Sequence, residues 1–151
     1  MTDKDSKLYN IDRTASAGYM TNWAARLFAR EMDRRLKPLG LSTGHLPMFF
    51  ALGNGGALSQ KALTEFAAIE QPTMAATLSR MERDGLIHRE PDPDDGRSML
   101  ISLTPLALEK FPAVREAIDM LNEKALGALG EDERNAFLAS LAKIVAALAD
   151  E

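Results

Sequence analysis

The stretch Glu70–Thr104, EQPTMAATLSRMERDGLIHREPDPDDGRSMLISLT, switches hydrophobic period without a spacer, and that switch decides the fold. Met74, Leu78 and Met81 fall at i, i+4 and i+7, which gathers the apolar side chains on one side of a helix. Gln71, Thr73, Ala76, Thr77 and Arg80 are expected elsewhere on its surface. Asp84-Gly85 ends the helix. After Leu86-Ile87 the chain passes Pro91, Pro93 and the turn pair Asp95-Gly96, and then Met99, Ile101 and Leu103 alternate with Leu100 and Ser102, as half-buried strands around a turn do. A helix sized for a major groove, beside a protruding arm with Arg97 near its tip, points to DNA.

The flanking segments read as helices with clear punctuation. Residues 1–12 are polar and expected to be loosely held. Thr14 or Ser16 can then cap a long helix running to about Lys37, with Pro38 as its boundary. Met20, Trp23 and Leu27 form one apolar stripe on it and Phe28, Met32 and Leu36 another, so both sides require cover from other lobes or a second subunit. Ser42 can cap a short helix through Leu52, with Pro47 in its first turn, and Gly53-Asn54-Gly55-Gly56 is a stop. Ser59 caps a third helix, Gln60 to about Ala67, with Leu63, Phe66 and Ala67 expected inward, and Ala68-Ile69 joins it to the helix at residue 71. Thr104-Pro105 opens a long helix to about Leu126 that Pro112 should bend. The last helix starts near Gly130 with Glu131, Asp132 and Glu133 at its positive end, and aligns Phe137, Leu141, Ile144, Val145 and Leu148 on one side.

Composition narrows the function classes. A chain of 151 residues, 46% hydrophobic and 26% charged, fits one domain or one protomer of an obligate dimer. No apolar run reaches the roughly 20 residues of a membrane helix, and MTDKDSKLYN lacks the order of a signal peptide, so no membrane partner and a cytoplasmic location are expected. The absence of cysteine forbids disulfides, thiolate zinc sites, cysteine nucleophiles and thiol redox sensing. Two histidines, His45 and His88, suit titration or hydrogen bonding better than a structural metal site, so no cofactor and no metal are expected. No G-x-S-x-G, Walker loop or H-E-x-x-H occurs, which argues against an enzyme. With a net charge of -4, DNA binding must rest on a local basic face and be salt-sensitive.

The sequence resembles the MarR family of bacterial transcription regulators, winged helix-turn-helix homodimers, over about residues 16–148. LGLS at 39–42, LSQKALTEFA at 58–67, EQPTMAATLSRMERDGLI at 70–87 and DDGRSMLISLT at 94–104 carry the resemblance, with Asp95-Gly96-Arg97 at the place of the family's D-x-R wing triplet. The resemblance implies that Arg97 enters a minor groove and that Asp95 orients it. Three departures stand out. Ala68 replaces a frequent glycine in the turn between the paired helices, so that turn must avoid left-handed dihedrals or accept strain. Ala76 stands where a basic residue is common, and Asp92, Asp94 and Asp95 crowd the wing tip.

The expected protein is therefore mainly α with a small β-hairpin wing, a winged helix-turn-helix with a helical dimerisation lobe. Residues 1–40 would form an arm and dimerisation helix, 41–104 the DNA-binding region, and 105–151 the C-terminal dimerisation helices. The expected function is that of a ligand-responsive repressor binding a pseudo-palindromic double-stranded operator as a homodimer. A winged-helix module for protein–protein contact without operator binding is the alternative. Candidate DNA contacts are Ser59, Gln60, Gln71, Pro72, Thr73, Thr77, Arg80, Asp95 and Arg97; Gln71, Thr73 and Ser59 could instead cap their helices. Arg80, Arg83 and Arg89 could instead be a solvated face with Glu82 and Asp84 as partners, phosphate contact being the other reading for Arg80 and Arg83. Trp23, Arg26, His45 and Phe49 are candidates for holding a small aromatic or anionic effector. Phe137, Leu141, Ile144, Val145 and Leu148 are candidates for the dimer interface.

Overall fold

Side-chain caps set the starts of three of the six α-helices lying wholly within residues 7–149, the range that the computed structural model describes. Residues 1–6 of the expected loose arm lie outside that range. Ser16 Oγ accepts the Tyr19 amide at 3.2 Å and opens α1, Ala17–Leu36. Pro38 and Gly40, the latter at φ 72°, turn the chain through a 3₁₀ turn. A second 3₁₀ turn, Thr43–His45, leads into α2, Leu46–Leu52, where Pro47 sits in the first turn and sacrifices no hydrogen bond. Ser59 Oγ accepts the Ala62 amide at 3.1 Å and starts α3, Gln60–Ala67, and α4 follows as Gln71–Arg83. Between them Ala68 adopts φ 52°, ψ 42°: the turn takes the left-handed option and bears its strain.

The wing is part of a three-stranded antiparallel sheet of order β1-β3-β2, with β1 Leu58–Ser59, β2 Ile87–Asp92 and β3 Asp95–Leu103. Two features correct the sequence reading. The hairpin turns at Pro93-Asp94, where Asp92 Oδ1 accepts the Asp94 amide at 2.9 Å, so Asp95-Gly96 already belongs to β3. The two-residue β1 was not anticipated; it pairs Leu58 with Ile101 and Ser59 with Leu100. Ile101 and Leu103 are buried as the alternation requires, whereas Met99 is exposed because the outer half of the hairpin projects beyond the body.

Thr104 Oγ1 accepts the Ala107 amide at 3.3 Å and starts α5, Pro105–Leu126, with Pro112 in its interior. Gly130 caps α6, Glu131–Leu148. One core joins Leu36 of α1, Met48 and Leu52 of α2, Leu63 of α3, Met74, Leu78 and Met81 of α4, Ile101 of β3 and Val114 of α5. Phe66, expected inward, is 56% exposed, because Leu63 and Ala67 at i and i+4 define the inner side of α3 and no described residue buries the neighbouring position. The two stripes of α1 differ as well. Phe28, Met32 and Leu36 pack on the core, while Met20 and Leu27 stay exposed.

No residue of α6 is buried. Its start is fixed by Arg134, which pairs with Glu123 at 2.8 Å and donates to the carbonyls of Leu126 and Leu129. A groove of about 680 Å³ runs between α1, α5 and α6, lined by Met20, Ala24, Phe28, Ile118, Phe137 and Leu141 among others. Among the described residues no helix is long and apolar enough to cross a membrane.

Candidate nucleic-acid interface

The two sides of α4 divide by chemistry. Met74, Thr77, Leu78 and Met81 turn into the core, and Pro72, Ala76, Ser79 and Arg83 occupy the opposite side at helical spacing. Gln71, Thr73 and Arg80 flank that outward row and are exposed. Thr77, expected to contact DNA, is only 6% exposed. Its Cβ lies on the edge of the stripe set by Met74 and Met81, so it packs inward and cannot reach a ligand on the outer side. Ser79, not among the sequence candidates, is exposed in that outward row, where the same spacing puts it, seven residues after Pro72 and three after Ala76.

The capping alternatives resolve residue by residue. Glu70 holds the cap position of α4 and makes no side-chain cap bond. Neither Gln71 nor Thr73 caps the helix, and among the described residues neither side chain has a hydrogen-bond partner. Ser59 does cap α3, but its hydroxyl proton remains available to donate. Gln60, the first residue of α3, lies beside Arg89 of β2, whose Nη1 is 3.4 Å from Gln60 Oε1. Arg83 pairs with its neighbour Asp84 at 3.3 Å, on the surface where such a pair is weak.

On the wing, Arg97 is exposed, and its own backbone N–H donates to Asp95 Oδ1 at 3.0 Å. Asp95 thus fixes the backbone that carries Arg97; no ion pair joins the two side chains among the described residues. Arg97 therefore projects from the arm with its charge uncompensated by that aspartate.

The four candidate effector residues do not converge. Trp23 is half-buried with the Arg13 guanidinium 4.1 Å from its ring centroid and Tyr19 edge-on at 6.5 Å. Arg26 is exposed on the same helix. His45 Nδ1 accepts the Ser42 amide at 2.9 Å, closing the turn before α2, and burial of the ring holds its pKa below the ordinary 6.5. Phe49 is 2% exposed, its ring 5.8 Å from that of Phe111, and is first of all core. It also backs a separate cleft of about 360 Å³ with Phe50, Phe111, Arg115 and Asp119. His88 lies apart from His45, on β2, with Nε2 3.1 Å from Glu90 Oε1. Among the described residues no three metal-ligating side chains cluster.

A recognition-type helix following α3 and preceding a hairpin agrees with what comparison finds. Residues 39–98 match the MarR family. The transcriptional regulator HosA of Escherichia coli O111:H- is 33% identical over 95 residues, covering 63% of this chain and 70% of HosA. The HTH-type transcriptional repressor IacR of Pseudomonas putida is 27% identical over 112 residues, covering 72% of this chain and 67% of IacR. The crystal structure of a MarR-family transcriptional regulator from Silicibacter pomeroyi superposes with a TM-score of 0.76 at 28% identity, over 90% of this chain and 92% of that one. With these likenesses and this winged-helix architecture, the chain belongs to the MarR family of DNA-binding transcriptional regulators.

Proposed function

We propose that the protein is a repressor that binds a pseudo-palindromic operator as a homodimer and releases it in response to a small ligand. The observation that supports this most directly is the outward row of α4, with Gln71, Thr73 and Arg80 unburied beside it and Arg97 projecting from the adjoining wing. A helix with that row exposed fits the major groove, while the wing arginine reaches a neighbouring minor groove. The exposed apolar side of α6 and the groove beside it supply the surface for a second copy, and a dimer would set two α4 helices about one helical turn of DNA apart.

For the effector, the cleft of Phe49, Phe111 and Arg115 supports an aromatic anion better than the dispersed set of Trp23, Arg26 and His45 does. It lies between α2 and α5, so a ligand there would alter how the DNA-reading elements sit on the helical lobe and hence the spacing of the two α4 helices.

The test is selection of duplexes from a random pool by the purified protein, followed by binding titrations of the selected and a scrambled duplex over a range of salt. Enrichment of an inverted repeat, with affinity that falls steeply as salt rises, is the expected outcome. Recovery of no preferred duplex, with a salt-insensitive interaction, would favour the protein-contact module instead.

A further inference from the structure

We infer that Arg89 is a positioning residue of the DNA-reading surface, aiming the side-chain amide of Gln60 at the phosphate backbone and holding the carboxylate of Glu82 away from it. The inference rests on the DNA-binding reading of this surface.

Sheet register brings the participants together. β3 lies between β1 and β2, and Ile101 pairs with Leu58 on one side and Arg89 on the other. The chain leaves β1 straight into α3, so Gln60 begins its helix close to the row that carries Arg89. From there one guanidinium reaches two elements. Its Nε lies 3.3 Å from Glu82 Oε2 on α4, and its Nη1 lies 3.4 Å from Gln60 Oε1 on α3. The Arg89 side chain is only 22% exposed, so water competes less for these contacts than at the surface pairs of the molecule.

The chemistry of the donor decides the orientation of the acceptor. A guanidinium has five N–H donors and no acceptor, so only the amide oxygen of Gln60 can face it. The NH₂ group must then point away from Arg89. It does so at the first position of α3, where unpaired backbone N–H groups already favour an anion. Without Arg89 the amide could turn either way, and half of its orientations would present an oxygen to phosphate. Glu82 stands on the same helix as Arg80 and Arg83, and its carboxylate would weaken their attraction for phosphate were it not paired. A lysine at position 89 could keep the ion pair with Glu82 but, as a point charge on a flexible stem, could not hold both partners in a fixed fork.

The experiment is a double-mutant cycle read by fluorescence anisotropy, using a labelled duplex that the protein itself enriches from random DNA and a scrambled duplex of equal length. Gln60→Ala should weaken both duplexes roughly tenfold while leaving the steepness of the salt dependence unchanged, because the lost phosphate donor is uncharged. Arg89→Lys should bring a similar loss, and adding Gln60→Ala to it should change little, because the contact is already gone. Glu82→Gln, which leaves the Gln60 contact intact, should retain the full Gln60→Ala penalty. Thermal melting checks that each variant is folded; should Arg89→Lys fail that check, Arg89→Met, which keeps the aliphatic stem and removes both polar contacts, takes its place in the cycle. Penalties that multiply in the Arg89→Lys background, or a Gln60→Ala protein that binds like wild type while Arg97→Ala does not, would overturn the inference and leave the DNA reading standing. A wild-type protein that enriches no duplex and shows no salt-dependent binding would remove both.

Discussion

At the scale of single residues, position on a helix decides more than residue type. Thr77 has the polarity of a base-reading side chain, yet its place beside Met74 and Met81 sends it into the core, while Ser79 two positions on faces out. Arg97 offers the clearest single test of DNA contact, since it is exposed and packs on nothing that folding needs. Arg97→Ala should leave melting unchanged, weaken operator binding, and lower the slope of log affinity against log salt by about 2 per dimer. Titration at several salt concentrations measures that slope, and an unchanged slope would mean that the wing stays off the duplex. His45 allows a second prediction, on stability. The Ser42 amide is a donor, so the ring must keep Nδ1 unprotonated to accept it. With its folded pKa held below the ordinary 6.5 by burial, the unfolded chain binds the proton more tightly. Its contribution is therefore fully present above about pH 6.5 and is lost as pH falls through the region below it. His45→Gln, with an uncharged acceptor at the same place in the turn, should melt with a shallower decline between neutral and mildly acidic pH than wild type. Parallel melting curves would show that His45 does not titrate with unfolding.

At the scale of elements, the caps were legible in the sequence and the contacts between elements were not. Ser16, Ser59 and Thr104 announce helix starts because a side-chain oxygen three residues before a backbone amide is a local relation, fixed by the chain itself. The same holds for the apolar row of α4. β1 escaped notice because two residues carry no period; only the pairing with Ile101 and Leu100, some forty positions later, makes them a strand. The hairpin turn was misplaced because Pro93-Asp94 and Asp95-Gly96 are both credible turn pairs, and the Asp92 carboxylate, which closes the first, chooses between them only in three dimensions. The scatter of Trp23, Arg26, His45 and Phe49 is likewise a matter of packing that spacing cannot show. Gly53 is an example with a measurable consequence. A methyl group there would stand 2.4 Å from Phe111 Cε2 and 2.6 Å from the Phe49 carbonyl oxygen, where α5 passes the end of α2. The Phe111 ring could swing aside, but the carbonyl belongs to the helix backbone. Gly53→Ala should therefore cost about 1–3 kcal/mol in urea unfolding, as overpacking at a close contact does. A stability equal to wild type would mean that α2 and α5 separate more easily than this approach indicates.

At the scale of the whole molecule, what the single chain leaves uncovered is as informative as its core. α6 buries none of its residues, and Phe137, Ile144, Val145 and Leu148 are exposed together with Leu138 on one helix. Across the groove, Met20 and Leu27 of α1 are exposed too, so two helices distant in sequence offer apolar surface in one region. A second copy using the same surface would cover both at once. The sequence indicated the apolar side of α6, and the fold adds that the described residues bury no side chain of that helix fully. Leu141, at the floor of the groove, is half-buried already, whereas Ile144 lies farther along the exposed side. Either residue changed to Asp would place an unpartnered charge in the subunit contact, at a cost of several kcal/mol per interface. Sedimentation should show a concentration-dependent dimer for wild type and a monomer for Leu141→Asp and Ile144→Asp. Ile144→Asp discriminates better, because Ile144 is exposed and, unlike Leu141, does not line the groove within its own subunit, so its helix content should survive. Operator affinity should fall with the dimer, since one α4 helix reads only half of an inverted repeat, while binding to scrambled DNA at low salt should decline far less. An Ile144→Asp protein that sediments as a dimer and binds its operator normally would move the subunit contact away from α6 and leave the exposed side of that helix to another partner.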